Sequence, residues 1–386
     1  MSPAPRVVSD AELNRATLAR QLLLERVPLD PVTAIRRLCA LQAQEPASPY
    51  IALWTRLADF QPADLDAAFR TSAIVKATLM RVTLHAVAAE DYPACWAAHA
   101  DYIRAARTSP PRFPAGSVPK ERLDDLVAHA VAFATEPRSN AEMAAHLEEI
   151  AGPFGDQGWW WAVRPFTPVL RAAGDEPWSF AIRPSYVAPA TVASAIDRDE
   201  ALDYVVRSYL AAFGPASVLD IAQFLKVARA PVRRSVERLA TGLDAVEAVT
   251  GQTLYDVPGG PIPAGDVPAP VRLLPMWDSV LMAYADRARI IPANVRKHII
   301  RQNGDVLPTF LVDGHVAGIW RTDTATGQTV INAKAFHPLP DGVWHELAGE
   351  AQRLAVFVHP REPGVYRRYH RWWDLVPAAE VRTLTG

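Results

Sequence analysis

Cysteine is almost missing from this chain: Cys39 and Cys95 are the only two in 386 residues. Two cysteines cannot build a disulfide framework, a cysteine-rich zinc site or an iron–sulfur cluster, and a reducing compartment is the simplest expectation. No run approaches the ~18 consecutive apolar residues of a membrane span. The opening Met1-Ser2-Pro3-Ala4-Pro5-Arg6 has no apolar stretch of the kind a secretory signal needs. A cytoplasmic protein without membrane partners is expected. Charge of one sign is also lacking. The formal net charge of −2 excludes a histone-like polycation, but not a local patch for phosphates. Lysine is scarce, confined to positions 76, 120, 226, 297 and 334. There is no phosphate-cradling glycine loop, dinucleotide fingerprint, Gly-x-Ser-x-Gly elbow or calcium loop. His345-Glu346 has no second histidine at zinc-protease spacing, and neither a metal nor a cofactor is expected.

What is present is an ordinary globular composition, half of it hydrophobic and 21% charged, long enough for two or three domains. Ser9-Asp10-Ala11-Glu12 reads as a capping box opening a helix to about Arg26. Asp30-Pro31 opens a second, with Val32, Ile35, Leu38 and Leu41 at helical spacing. Pro46 is expected to end it near Gln44. A third helix covers about 50–60. Two β-type runs follow, Val75–Met80 and Thr83–Ala88. Three helices and a hairpin are the order of a winged helix-turn-helix, closed here by a helix over about 91–107. The proline-rich stretch 108–119 reads as a linker. The same grammar returns from about 121, with helices over 121–134, 141–150 (behind a capping box at Ser139) and 159–172, then a strand over 178–182. It returns again over 197–257, where Ser217 opens a helix, Pro231 starts another, and two short strands make a wing. From about Pro268 the pattern is antiparallel β, with Asp313-Gly314 joining two strand runs as a hairpin signal.

On the helix starting at Pro231, Val232, Val236 and Leu239 share one face and Arg233, Arg234 and Arg238 the other. That is the layout of a recognition helix, and equally of a solvated arginine face. Further basic clusters lie at Arg287, Arg289, Arg296, Lys297 and Arg301. Another is at Arg361, Arg367, Arg368 and Arg371, interleaved with Tyr366, Tyr369, Trp372 and Trp373. Aromatics among arginines suit nucleic acid, though near a chain end they are more often core or docking residues.

The segment Leu41-Gln42-Ala43-Gln44-Glu45-Pro46 stands out. If the chain leaves helical geometry there, residues two apart face one volume and the small Ala43 leaves room between the amides. The plain alternative is two surface glutamines at a helix end. Glu45 is the rival carboxylate.

Together with Leu79-Met80-Arg81-Val82-Thr83-Leu84-His85, Trp277-Asp278-Ser279-Val280-Leu281, Asp286-Arg287 and the run from Leu307 to Gly318, this segment resembles the winged-helix DNA glycosylases of the AlkZ type. The resemblance runs from about Ser9 to Arg371. It implies an α+β fold of tandem winged helix-turn-helix units forming a concave, DNA-sized channel, with a C-terminal antiparallel β-domain. The segments would be 1–118, 119–196, 197–267 and 268–386. It implies excision of bulky N7-alkylated purines, with unhooking of interstrand crosslinks by some members, and a catalytic Gln-x-Gln signature that falls on Gln42 and Gln44. It also implies that the hairpin at Asp313, Gly314 and His315 contacts DNA. Arg81, Thr83 and His85 alternate along a strand and so share a face, to touch DNA or to support the glutamines. Double-stranded DNA carrying alkylated bases is the expected partner of a monomer, since three winged units already supply an extended surface.

The chemistry agrees. Glycosidic cleavage passes through an oxocarbenium-like state and ordinarily recruits a carboxylate. An amide cannot act as a base at neutral pH. An N7-alkylated purine is already cationic, so it leaves without protonation, and what remains is to position water and stabilise charge on the sugar. A lyase would need a lysine. Lys76 is the one near the motif and lies in a predicted strand, so a monofunctional hydrolase is expected. The competing class is a non-enzymatic winged-helix DNA binder, either a regulator or a lesion-binding protein.

Overall fold

The computed structural model describes residues 6–108, 118–190, 196–325 and 327–384, so most of the expected linker lies outside the described residues. The chain opens with β1 (Val7–Val8) and α1 (Asp10–Arg20), and α1 is capped by the Ser9–Glu12 box its spacing predicts. It stops at Arg20 rather than Arg26. Leu22 takes left-handed backbone (φ 56°), and Leu22 and Leu23 turn into the core instead.

The first unit comprises α2 (Pro31–Arg37), β2 (Leu41–Gln42), α3 (Ala47–Arg56), α4 (Pro62–Arg70), β3 (Ile74–Thr78) and β4 (Leu84–Ala88). Here one expectation is corrected. The second helix does not reach Gln44. Cys39 is left-handed (φ 70°), and Leu41 and Gln42 pair with Ala86 and His85 as a strand. That pairing satisfies the backbone while burying Leu41 and Ala43. After α5 (Tyr92–Thr108) the second unit has α6 (Lys120–Phe133), β5 (Arg138–Ser139), α7 (Asn140–Ala151), α8 (Gly158–Val163), β6 (Leu170–Arg171) and β7 (Ser185–Val187). The helix expected over 159–172 is cut short beside Pro165. The strand expected over 178–182 is not formed, because Trp178 and Phe180 are used as core residues. The third unit has α9 (Arg198–Phe213), α10 (Val218–Leu225), α11 (Arg229–Leu239), β8 (Asp244–Ala248) and β9 (Thr253–Asp256).

The three units share one connectivity. In each, a short strand after the first helix pairs antiparallel with the second hairpin strand: β2 with β4, β5 with β7, and Ala216 with Tyr255 of β9. The first two units are fused in one sheet of order β2-β4-β3-β6-β7-β5, joined where Ala77 meets Leu170. β1 returns to pair with β8 of the third.

The C-terminal part is β10 (Arg272–Leu274), α12 (Arg296–Ile299), β11 (Thr309–Val312), β12 (His315–Asp323), β13 (Val330–Ala335), α13 (Asp341–Val358) and β14 (Glu380–Leu384). Its five strands form an antiparallel sheet in sequence order, as expected. Gly318 is required on the middle strand of this sheet, since a Cβ there would run into the Lys334 carbonyl of β13 and the Phe310 ring of β11. One large core cluster joins the first unit to this sheet and α13, and a second joins the first unit to the second and third. The Trp277-Asp278 motif has a structural reason. Asp278 forms a two-pronged pair with Arg56 of α3 (2.8 Å on each prong) and accepts from Val280 N to cap the next turn.

Candidate active site

The turn between β3 and β4 carries the signature residues. Arg81 and Val82 are both left-handed (φ 58° each), a conformation a β-branched residue holds only under constraint from its surroundings. Thr83 Oγ1 donates to Met80 O (3.0 Å) within the turn. The result is that Arg81 reaches back to the Gln-x-Gln strand. Its Nη2 donates to Gln42 Oε1 (2.8 Å) and to His85 Nε2 (3.0 Å), and its Nη1 donates to Phe224 O (3.1 Å) at the end of α10. His85 Nδ1 in turn donates to Thr83 O (3.0 Å). One ring nitrogen donates and the other accepts, so His85 is neutral. Burial, and then the Arg81 charge, hold its pKa well below the ordinary imidazole value. Burial and the neighbouring Arg287 lower Arg81 to about 10, which leaves it charged at neutral pH.

Gln42 sits opposite His85 and is 5% exposed. The chain stays extended beyond it, with Ala43 N donating to Leu84 O (2.7 Å). Gln44 is exposed, and its Oε1 accepts from Leu84 N (3.4 Å). The two amides therefore leave helical geometry as the sequence reading requires, but their settings differ. Gln42 is anchored on Arg81, whereas Gln44 opens on a cleft of about 740 Å³. Lys76, Leu84, Arg171, Trp178, Phe180, Arg367 and Arg368 also line that cleft. The rival carboxylate Glu45 is occupied: it accepts from Tyr369 Oη (2.9 Å) and is ion-paired with Arg368.

Lys76 is 4% exposed and its ammonium stands 4.2 Å from the centre of the Phe180 ring. Burial, and then the Arg171 charge, pull its pKa from 10.5 to about 7. Between those two values the unfolded chain holds more protons than the folded one, so stability rises with pH. The penalty for burying the charged form is fully present below about pH 7. Urea melts should show Lys76→Met more stable than the parent at pH 6, with the gap closing toward pH 10; a gap independent of pH contradicts this assignment.

The other expected DNA contacts divide. Arg233 and Arg234 are exposed on α11 and have no hydrogen bond or ion pair among the described residues, while Val232, Val236 and Leu239 are buried as their spacing predicts. Arg238 is not free; it is held by Asp203 (2.6 Å) and Asp199 (3.2 Å) of α9. Arg287 is half-buried near Arg81. Arg289 donates to Pro215 O (3.0 Å) and lies over the Tyr284 ring. The Asp313-Gly314 turn is not a free loop either. Asp313 is ion-paired with Arg15, Gly314 O accepts from Asn14 (3.0 Å), and His315 folds back on Asp313 O. A Cβ at Gly314 would stand 2.5 Å from Asn14 Oδ1, so this tip is docked on α1.

Arg171, Trp178 and Phe180 are cleft residues that sequence reasoning missed, whereas Lys76 was weighed there as a lyase nucleophile and set aside. All four lie in segments read only as strand or helix; β3 and β6 of the shared sheet bring Lys76 and Arg171 together, and Trp178 and Phe180 line the cleft from outside any strand. Of the aromatic and basic tail, Arg367, Arg368 and the largely buried Tyr366 line the cleft, whereas Arg361 pairs with Asp66 and Trp373 is buried.

A sequence model described as DNA glycosylase AlkZ-like matches residues 35–357. The chain belongs to the AlkZ-like DNA glycosylase family. Among solved structures this AlkZ-like chain is similar to Streptomyces sahachiroi DNA glycosylase AlkZ, with a TM-score of 0.76 at 18% identity, over 92% of this chain and 98% of that one. That likeness confirms the fold. Nothing among the curated proteins matches.

Proposed function

We propose that this AlkZ-like protein hydrolyses the N-glycosidic bond of N7-alkylated, cationic purines in double-stranded DNA, including bulky adducts and crosslinks. One observation carries the reading. The exposed group presented to the cleft by the signature strand is an uncharged amide, Gln44, while the adjoining carboxylate Glu45 is neutralised by Arg368 and Tyr369. An amide beside a quenched carboxylate cannot deprotonate water, but it can accept a hydrogen bond from water and orient it. That suffices when the leaving base departs as a neutral molecule from a cation. Gln44 holds the water on the face of the sugar opposite the leaving base. Gln42, locked by Arg81, directs its amide dipole along the same strand and keeps the Arg81–His85 network in register. Arg367 and Arg368 at the cleft, and Arg233 and Arg234 on α11, supply charge for backbone phosphates. A cleft of about 740 Å³ lies in the range that accommodates an extruded purine with a substituent.

The test is an oligonucleotide duplex carrying one 7-methylguanine, incubated with the protein in EDTA and then treated with alkali. Breaks at the lesion are expected. Tight binding to an undamaged palindrome with no base release would instead identify a regulator.

A further inference from the structure

The cleft holds a group the hydrolytic reading leaves unused. Lys76 is in the middle of β3, and its side chain shares the cleft with Gln44. That side chain has no hydrogen bond or ion pair to any described residue, and its ammonium lies over the Phe180 ring. None of the three carboxyl groups lining the cleft is ion-paired with the lysine: Glu45 is paired with Arg368, Glu362 accepts from Trp178 Nε1 (2.6 Å), and Glu176 is exposed. A buried amine without a counter-ion, opening on the cavity that would receive a deoxyribose, is the arrangement of an imine-forming nucleophile.

We propose that Lys76 gives the protein a second activity, cleavage of the DNA strand at abasic sites through an imine. The nucleophile would be Nζ as free amine. With its pKa drawn down to about 7 by burial and by Arg171, about half of it is in that form at neutral pH. The amine adds to the C1′ aldehyde of the ring-opened abasic sugar, and water leaves to give the iminium. A C2′ proton passes to the Glu362 carboxylate, whose pKa is raised by burial. The C3′–O bond then breaks and the phosphate leaves on the downstream strand. Water hydrolyses the conjugated imine, restoring Lys76 and leaving an unsaturated aldehyde on the upstream 3′ end, and Glu362 returns its proton to solvent. No oxidant, reductant or metal is needed. This adds a step where the sequence points to a hydrolase alone, and it rests on the proposed function only in placing a deoxyribose in the cleft.

The experiment uses a duplex whose abasic site is made beforehand by excising uracil, so base release by this protein plays no part. The full-length protein is incubated with it in sodium borohydride, and the products are separated under denaturing conditions and mapped by mass spectrometry. The expected result is a reduced covalent adduct on the peptide containing Lys76, lost in Lys76→Met and in Lys76→Arg. Without borohydride, nicking should rise with pH through about 7, following the free amine. No adduct with the parent protein overturns the proposal, as does an adduct mapped to Lys120, Lys226, Lys297 or Lys334. Mapping on the parent chain decides the matter even if a variant fails to fold. Failure to release 7-methylguanine alongside a trapped Lys76 would count against the hydrolytic reading and leave this one standing.

Discussion

Gln44→Ala should slow release of 7-methylguanine by roughly 100-fold or more while leaving stability within about 0.5 kcal/mol of the parent. The two halves of this expectation have different sources. The side chain is exposed, and its one hydrogen bond among the described residues is the long 3.4 Å contact with Leu84 N, so folding hardly depends on it. Its loss removes the group that orients water, and orientation acts on the turnover rate more than on substrate binding. Gln42→Ala should differ. It strips a buried acceptor from Arg81, and a buried donor left unsatisfied costs about 1–3 kcal/mol. Activity and stability should fall together in that variant. Single-turnover release of base, beside urea melts of each variant, separates the cases. A Gln44→Ala protein as active as the parent would remove Gln44 from the chemistry.

Arg56→Met should destabilise the fold by about 3–5 kcal/mol, the largest stability loss we expect from one substitution here. Arg56 is fully buried; its guanidinium holds both oxygens of Asp278 and donates to the carbonyls of Gln21 and Ala52. Removing the cation leaves the buried Asp278 carboxylate without a counter-ion and takes from the Gln21 carbonyl the donor Arg56 supplied. Replacing both partners, as in Arg56→Met with Asp278→Leu, should recover part of the loss, because a buried ion pair gains little over well-packed apolar groups. Denaturant midpoints for the two single variants and the double measure the coupling. Single losses below about 1 kcal/mol would show that water reaches the pair.

That pair also shows what a sequence can and cannot disclose. Asp278 is visible as part of a motif, but its partner lies in another unit, and no local pattern links positions so far apart. The capping boxes at Ser9, Ser139 and Ser217 all form, since each needs only a hydroxyl and a carboxylate three residues apart. The hairpin of β11 and β12 forms on Asp313-Gly314 for the same reason. Helix ends fared worse. The second helix carries its apolar spacing past Leu38, yet the ladder to β4 claims Leu41 and Gln42. Here tertiary pairing overrides local periodicity. The glutamines stood out as a motif, but the alternation expected of Arg81, Thr83 and His85 along one strand is corrected: β4 begins at Leu84, and Arg81 and Thr83 belong to the turn before it. Arg171 and Trp178 gave no such sign, and Lys76 meets Arg171 only because two units share a sheet. The arginines of α11 were visible by phase, but the capture of Arg238 by Asp199 and Asp203 depends on how α9 packs.

The central claim is that a positively charged base needs no acid to leave and that amides alone complete its removal. Two duplexes identical except for one residue, 7-methylguanine in the first and hypoxanthine in the second, test it most directly when base release is followed side by side in EDTA. Release of the cationic base is expected, and none of the neutral one above background. Equal release of both, or release of hypoxanthine alone, would contradict it.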